Sequence, residues 1–197
     1  MAVLKNAPLD NFHRVDDLLF TSALPKNLKQ IEFLKRNRFG GIVSISPMDE
    51  QLAEHAAEMG LEVSLFPSLA GLYSMQVFNQ YPATQPIPNK VFENFFRLVA
   101  ENELRGTRLL VHCKAGVYGS GTLASIYKVA KGMPLDKDDF PTYPAPELLK
   151  VLYTKALVST AKQFGVLPAK PPRTNLRLGK RGGKNVFVAK SVLGVRR

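Results

Sequence analysis

One short run in the chain combines a nucleophile with residues that bind anions: His112-Cys113-Lys114-Ala115-Gly116-Val117-Tyr118-Gly119-Ser120. Glycines at 116, 119 and 121 let the backbone curl so that successive N–H groups point at one position, which makes an anion-binding nest. A helix that starts after the loop adds positive potential at its amino end. A cysteine in this field has a lowered pKa and attacks as a thiolate. The run therefore predicts either a site for a phosphate-type anion over residues 113–120, with Cys113 as a candidate nucleophile on phosphorus, or a loop of this kind that protein groups fill, with Tyr118 beside it.

Two neighbours of Cys113 are candidates for tuning it. His112 can fix the loop through hydrogen bonds of its ring, and Ser120 can cap the following helix or donate a hydrogen bond to the sulfur. The alternative interpretation is an ordinary strand–turn–helix junction in which Cys113 is a small buried hydrophobic residue. The His-Cys pair at a strand end, with glycine and hydroxyl residues at these offsets, favours the chemical interpretation.

The elements that must position this loop alternate between strands and helices. Apolar spacing predicts strands over 15–21, 42–45, 61–66 and 108–111, and helices over 27–37, 49–59, 89–103, 122–131 and 145–164. Gly40 and Gly41 are predicted to separate the first helix from the second strand. The alternation predicts an α/β fold, with a mostly parallel central sheet flanked by helices. Ligands of such sheets bind at the carboxyl ends of the strands, which is where His112 and Cys113 lie.

The length and the charge distribution predict one domain with a basic appendage. The 197 residues are 45% hydrophobic, which is enough for one domain with a core. We predict an N-terminal extension over 1–14, the α/β domain over 15–165 and a basic C-terminal arm over 166–197. The arm has no acidic residue and nine basic ones, which account for most of the net charge of +11: Lys170, Arg173, Arg177, Lys180, Arg181, Lys184, Lys190, Arg196 and Arg197. Its prolines and glycines predict an extended arm rather than a second domain.

Basic residues interleaved with apolar anchors are typical of an arm that binds RNA or a ribonucleoprotein. An acidic protein surface, a membrane surface or a solvated tail without a partner are the alternatives. No nucleic-acid recognition module accompanies the arm, so the sequence predicts no base-specific recognition. The segment 185–195 contains enough apolar residues to form a strand or to lie along a partner.

Cysteine usage and hydropathy indicate the compartment. Cys113 is the single cysteine, so the chain can form neither an internal disulfide nor a multi-thiolate metal site. The three histidines lack metal-ligand spacing, and we expect neither a metal nor a cofactor. The sequence has no apolar run that could span a bilayer and no secretory signal. We therefore expect an intracellular protein of a reducing compartment, cytoplasmic or mitochondrial and not secreted.

The run from His112 to Thr122 resembles the signature loop of the protein tyrosine and dual-specificity phosphatases. Their pattern is His-Cys, five residues, Arg, then Ser or Thr and Gly. The resemblance to the smaller dual-specificity members extends over most of the predicted domain. It implies that Cys113 is the nucleophile, that His112 and Ser120 tune it, and that residues 114–119 form the phosphate-binding loop.

The chain departs from this pattern at two positions. Gly119 stands where the family has the arginine that binds two phosphoryl oxygens. The family takes its general acid from an aspartate in the loop before the preceding helix, but residues 67–90 contain no Asp, Glu or His. Both losses predict a pseudophosphatase that serves as a binding or structural component of a larger, RNA-containing assembly. The alternative is an active phosphatase that hydrolyses phosphoprotein or RNA 5′-phosphate through a Cys113 thiophosphate intermediate.

Overall fold

The computed structural model describes residues 4, 6–66, 89–133, 176–181 and 184–189. One five-stranded sheet has the strand order β1-β2-β5-β3-β4, formed by β1 (His13–Arg14), β2 (Leu19–Ala23), β3 (Phe39–Ser44), β4 (Glu62–Leu65) and β5 (Arg108–Cys113). Strand β1 is antiparallel to β2, whereas the pairings β2–β5, β5–β3 and β3–β4 are parallel. The prediction of a mostly parallel sheet is confirmed.

Among the described residues, four helices connect or follow these strands: α1 (Leu28–Arg36), α2 (Glu50–Glu58), α3 (Asn89–Arg105) and α4 (Tyr118–Lys131). The residue before each of the first two helices caps its amino end. Asn27 accepts a hydrogen bond from the backbone N–H of Gln30 at 3.2 Å, and Asp49 accepts one from Leu52 at 3.2 Å. Such N-caps satisfy donors that have no partner inside the helix.

The core lies on both faces of the sheet. Helices α1 and α2 cover one face, where the buried cluster contains Phe20, Ile31, Leu34, Phe39, Ile42, Leu52, Leu61 and Leu110. Successive strand residues point to opposite faces, and the strand neighbours Leu19, Val43, Leu109 and Val111 are also fully buried. This second face is covered by α3 and α4, which contact β5 and its neighbours. Helices thus flank the sheet on both sides, as predicted.

Two strand boundaries differ from the prediction. Strand β2 begins at Leu19 rather than at residue 15, because the Asp16 carboxylate accepts the Leu19 N–H at 2.7 Å and bends the chain into a turn. Gly40 and Gly41 lie inside β3 rather than before it. A Cβ at position 40 would lie 2.5 Å from the Thr107 hydroxyl oxygen, so glycine is needed where the loop before β5 approaches this strand.

Helix α4 begins at Tyr118, four residues before the predicted start. The positions from 118 to 121 are therefore the first turn of the helix rather than part of a loop. This change places Gly119 and Ser120 at the amino end of α4, close in sequence to the nest that the loop forms. The helix field acts there most strongly, because it falls off within the first turn.

Residues before and after the predicted domain also form regular structure. Strand β1 belongs to the sheet, and Leu9 is buried in the core, although the sequence analysis placed both in the N-terminal extension. In the basic arm, β6 (Leu176–Arg181) and β7 (Lys184–Ala189) form an antiparallel hairpin. The helix predicted over 145–164 and the loop over 67–88 lie outside the described residues. No helix in the described part of the chain is long and apolar enough to cross a membrane.

Candidate active site around Cys113

Cys113 is the last residue of β5, the central strand of the sheet. Strands β2 and β3 run parallel to β5 on either side, and their ends pair with it: Ala23 is opposite Cys113 and Ser44 is opposite His112. His112 is fully buried, and Cys113 is 7% exposed. The predicted nucleophile therefore lies at the carboxyl edge of three parallel strands, where α/β proteins bind their ligands.

His112 positions the end of β5 through Ser44. Its Nε2 and the Ser44 hydroxyl share a buried hydrogen bond of 2.6 Å. Its Nδ1 is also buried, and it has no hydrogen-bond partner of good geometry within the described part of the chain. Burial lowers the pKa of His112 to about 4, and the nearby backbone of Cys113 opposes the shift only in part. The imidazole is thus neutral at pH 7 and acts as a positioning group.

The thiol of Cys113 is surrounded by hydrogen-bond donors. Burial by itself raises the pKa of the thiol, but the Ser120 hydroxyl and the backbone N–H groups of Ser120, Gly116 and Val117 donate toward the sulfur. Their combined effect is larger, so the net pKa of Cys113 is lowered. The Ser120 oxygen lies 3.5 Å from the sulfur. The loop therefore stabilises a thiolate, as a nucleophilic cysteine requires.

The segment after β3 supports the loop from one side. The backbone N–H of Ile45 donates to the His112 carbonyl at 3.0 Å. The backbone N–H of Lys114 donates to the Ser46 hydroxyl at 3.1 Å. Together with the Ser44 contact, these bonds fix the residues on both sides of Cys113 to the end of the neighbouring strand.

The end of β2 and the N-terminal segment support the loop from the other side. The Asn11 amide donates to the Ala115 carbonyl at 2.8 Å, and the backbone N–H of Leu24 donates to the Lys114 carbonyl at 3.4 Å. Gly116 has a φ of +74°, and a Cβ there would lie 2.5 Å from the carbonyl carbon of Ser22. Only glycine combines this φ with so close an approach to β2.

The predicted loop residues thus divide into three groups. Lys114 and Ala115 are exposed, and Val117 is half-buried. Gly116 is buried against β2, whereas Gly119 and Ser120 are buried in the first turn of α4. The side chain of Tyr118 lies outside what the structure describes. Lys114 is the cationic residue of the predicted loop, and it is exposed.

Sequence reasoning missed the residues that support the loop: Asn11, Ser44, Ile45 and Ser46. Ser44 lies near the end of a predicted strand that is beside β5 in the sheet, and Ser46 follows that end. In a parallel sheet, polar residues at that place gather at the same edge as the ligand. This signal was present in the sequence, whereas the role of Asn11 depends on a contact across 104 residues.

Three acidic residues outside segment 67–90 have structural partners. Asp49 caps α2, Glu101 pairs with Arg97 at 2.7 Å, and Glu103 pairs with Lys131 at 2.9 Å. Across residues 6–66 and 89–133, no three His, Cys, Asp or Glu side chains are grouped as metal ligands. A cleft of about 230 Å³ lies at the opposite edge of the sheet, beside the beginning of β5, and its lining includes Arg38, Asn102, Thr107 and Arg108. It is separate from the Cys113 loop.

Four of the nine basic residues of the predicted arm lie in the hairpin formed by β6 and β7. Arg177, Lys180 and Arg181 belong to β6, and Lys184 belongs to β7, where it pairs with Arg181. The other five, Lys170, Arg173, Lys190, Arg196 and Arg197, lie outside the described residues. The described backbone thus brings basic residues to both sides of one turn.

The fold and the position of the loop define the class: this chain has the fold of the cysteine-dependent tyrosine and dual-specificity phosphatases. The core catalytic domain of the PP-IP phosphatase SIW14 from S. cerevisiae, solved in complex with citrate, matches with a TM-score of 0.56 and 14% identity, over 81% of this chain and 96% of that one. P. aeruginosa TpbA matches with a TM-score of 0.51 and 18% identity, over 84% and 95%. No protein-family model and no curated protein sequence matches the chain.

Proposed function

We propose that this chain is a pseudophosphatase: a catalytically impaired cysteine-phosphatase-like domain that serves as a binding or structural component. The observation that carries the proposal is glycine at position 119, buried in the first turn of α4, where phosphatases of this fold have arginine. A guanidinium there would bind two phosphoryl oxygens and stabilise charge in the transition state. Removing one preorganised donor typically costs about 3–4 kcal/mol in catalysis, and the loss of a charged fork costs at least as much.

The second support is the sequence before α3. Segment 67–90 has no Asp, Glu or His that could protonate a leaving group, and the acids of α2 and α3 discussed above have structural partners. General acid catalysis usually contributes about 10²–10⁴ in rate. A site without the arginine at position 119 and without an acid from segment 67–90 keeps its nucleophile. It lacks the two groups that make attack on a phosphate ester fast.

An active phosphatase is the second candidate, and the lowered pKa of Cys113 favours it. The thiolate would attack phosphorus, the phosphorus–oxygen bond to the substrate would break, and the leaving oxygen would take a proton from solvent. Water would then hydrolyse the S–P bond to release phosphate and restore the thiol. Phosphoprotein and RNA 5′-phosphate are the substrates we consider for this reaction.

Hydrolysis of an aryl phosphate separates the two candidates. The purified protein is compared with Cys113→Ser, which removes the nucleophile and keeps a side chain of similar size, and an active cysteine phosphatase serves as the positive control. The pseudophosphatase proposal expects the natural protein and Cys113→Ser to give the same background rate from pH 5 to pH 8. Turnover that depends on Cys113 would instead support the active phosphatase.

We further propose that the basic arm binds the domain to an RNA-containing assembly. The support is its composition, with nine basic and no acidic residues over 166–197, and the hairpin that pairs Arg181 with Lys184 at its turn. Cations that neutralise phosphates release counterions, so the affinity falls steeply with salt.

The arm is tested by measuring the affinity for a single-stranded RNA oligonucleotide over a series of salt concentrations. One variant changes the four hairpin cations to glutamine: Arg177, Lys180, Arg181 and Lys184. The matched control changes four cations of the domain: Lys29, Lys35, Arg36 and Arg38. We expect the hairpin variant to reduce the slope of log K against log salt by up to about 3, and the control to leave it unchanged. Equal effects of both variants would contradict a specific role of the arm.

A further inference from the structure

Ile45, the residue that follows β3, packs against the glycine that replaces the family's arginine. Ile45 is 1% exposed. A Cβ built on Gly119 would lie 3.1 Å from the Cγ2 of Ile45, 3.3 Å from its Cδ1 and 3.2 Å from the Cβ of Cys113. These separations are shorter than the ordinary contact distance of about 3.5–4.0 Å between carbon atoms. A side chain at position 119 therefore begins in close contact with Ile45, which would have to shift by a few tenths of an ångström to admit it.

The neighbouring glycine of the same helix turn shows that this crowding is local. A Cβ at Gly121 would meet no heavy atom within 4 Å. Ile45 has little freedom to move away from position 119. Its side chain is buried, and its backbone N–H is hydrogen-bonded to the carbonyl of His112. The β-branched side chain also has few alternative rotamers.

We propose that Ile45 is a specificity-determining residue of the Cys113 loop. Ile45 keeps position 119 free of a side chain, so that any anion in the loop is held by backbone N–H groups instead of a guanidinium. The proposal deepens the pseudophosphatase assignment and rests on it for its functional meaning. It predicts that an arginine at position 119 cannot adopt a productive position unless Ile45 is shortened.

A stability measurement tests the contact independently of any activity. Alanine in place of helical glycine favours the helix, so we expect Gly121→Ala to raise the melting temperature by roughly 1–4 °C. Gly119→Ala should give no such rise in the natural protein, because its Cβ meets Ile45. In the Ile45→Ala background, Gly119→Ala should give a rise, smaller than that of Gly121→Ala because the Cβ of Cys113 still lies 3.2 Å from the added Cβ. Where Ile45→Ala does not fold, Ile45→Val, which removes the Cδ1 contact at 3.3 Å, is used instead, and a partial rise is expected.

An activity measurement tests the consequence for the loop. Hydrolysis of an aryl phosphate is compared for Gly119→Arg, Ile45→Ala and the double variant, each with and without Cys113→Ser. We expect Cys113-dependent kcat/KM of the double variant to exceed that of Gly119→Arg at least tenfold. Equal rates in these two variants, or equal effects of Gly119→Ala with and without Ile45, would overturn the proposal. Activity in the natural protein would instead reject the pseudophosphatase assignment, and the stability cycle would still decide the role of Ile45.

Discussion

Replacing Gly116 with alanine measures how closely the Cys113 loop is held against β2. The residue has a φ of +74°, and its added Cβ would overlap the backbone N of Ala23 and lie 2.5 Å from the carbonyl carbon of Ser22. The left-handed conformation costs about 1–2 kcal/mol for a residue with a Cβ. Overpacking costs about 1–3 kcal/mol more, because a strand backbone cannot move aside as a side chain can. We therefore expect a loss of about 3 kcal/mol in the free energy of unfolding.

Two other glycines separate these costs. Gly106 has a φ of +63° and open space around its Cβ position, so Gly106→Ala carries the conformational cost alone. Gly121 is helical with open space, so Gly121→Ala carries neither cost. Thermal unfolding followed by circular dichroism should show decreases of roughly 6–12 °C for Gly116→Ala and 2–8 °C for Gly106→Ala, with no decrease for Gly121→Ala. Similar decreases at positions 116 and 106 would show that β2 does not press on the loop.

Three more predictions concern buried polar side chains near the sheet. Ser120→Ala removes a donor to the Cys113 sulfur, so alkylation of the thiol by iodoacetamide at pH 7 should slow roughly tenfold. Burial lowers the pKa of His112 in the folded protein from 6.5 to about 4. As the pH falls, the unfolded chain therefore binds the proton before the folded protein does. About 3 kcal/mol of stability is lost between pH 6.5 and pH 4. His112→Gln should remove that loss from urea unfolding measured against pH. Tyr127 donates to the Asp16 carboxylate at 2.5 Å, and Tyr127→Phe should cost about 1–2 kcal/mol of unfolding free energy.

The order of most elements was predictable from local patterns. Apolar spacing located β5 and the helix that follows it, and the His-Cys pair with its glycines indicated the loop between them as the candidate site. The start of β2 was predicted wrongly because it depends on one side chain, and α4 begins four residues before the predicted start. The Asp16 carboxylate turns the chain before β2, and nothing in the apolar pattern encodes that turn.

The supports of the loop could not be predicted in the same way, because they come from residues distant in sequence. Asn11 and Ser46 reach the loop only after the sheet has brought β2 and β3 beside β5, and β1 beside β2. The buried position of Ile45 against Gly119 likewise depends on the pairing of β3 with β5. A sequence pattern can predict which residues form the loop, whereas the contacts around the loop depend on the tertiary fold.

The contacts from these distant residues explain how the loop keeps its shape without arginine. Its curvature depends on the fit of Gly116 to β2 and on backbone hydrogen bonds to Asn11 and Ser46. None of these contacts involves the side chain at position 119. The arginine of an active phosphatase acts on the ligand, so the scaffold of the loop does not require it. In this chain a Cβ at position 119 would crowd Ile45, so we expect Gly119→Arg alone to restore less activity than the same substitution with Ile45 shortened.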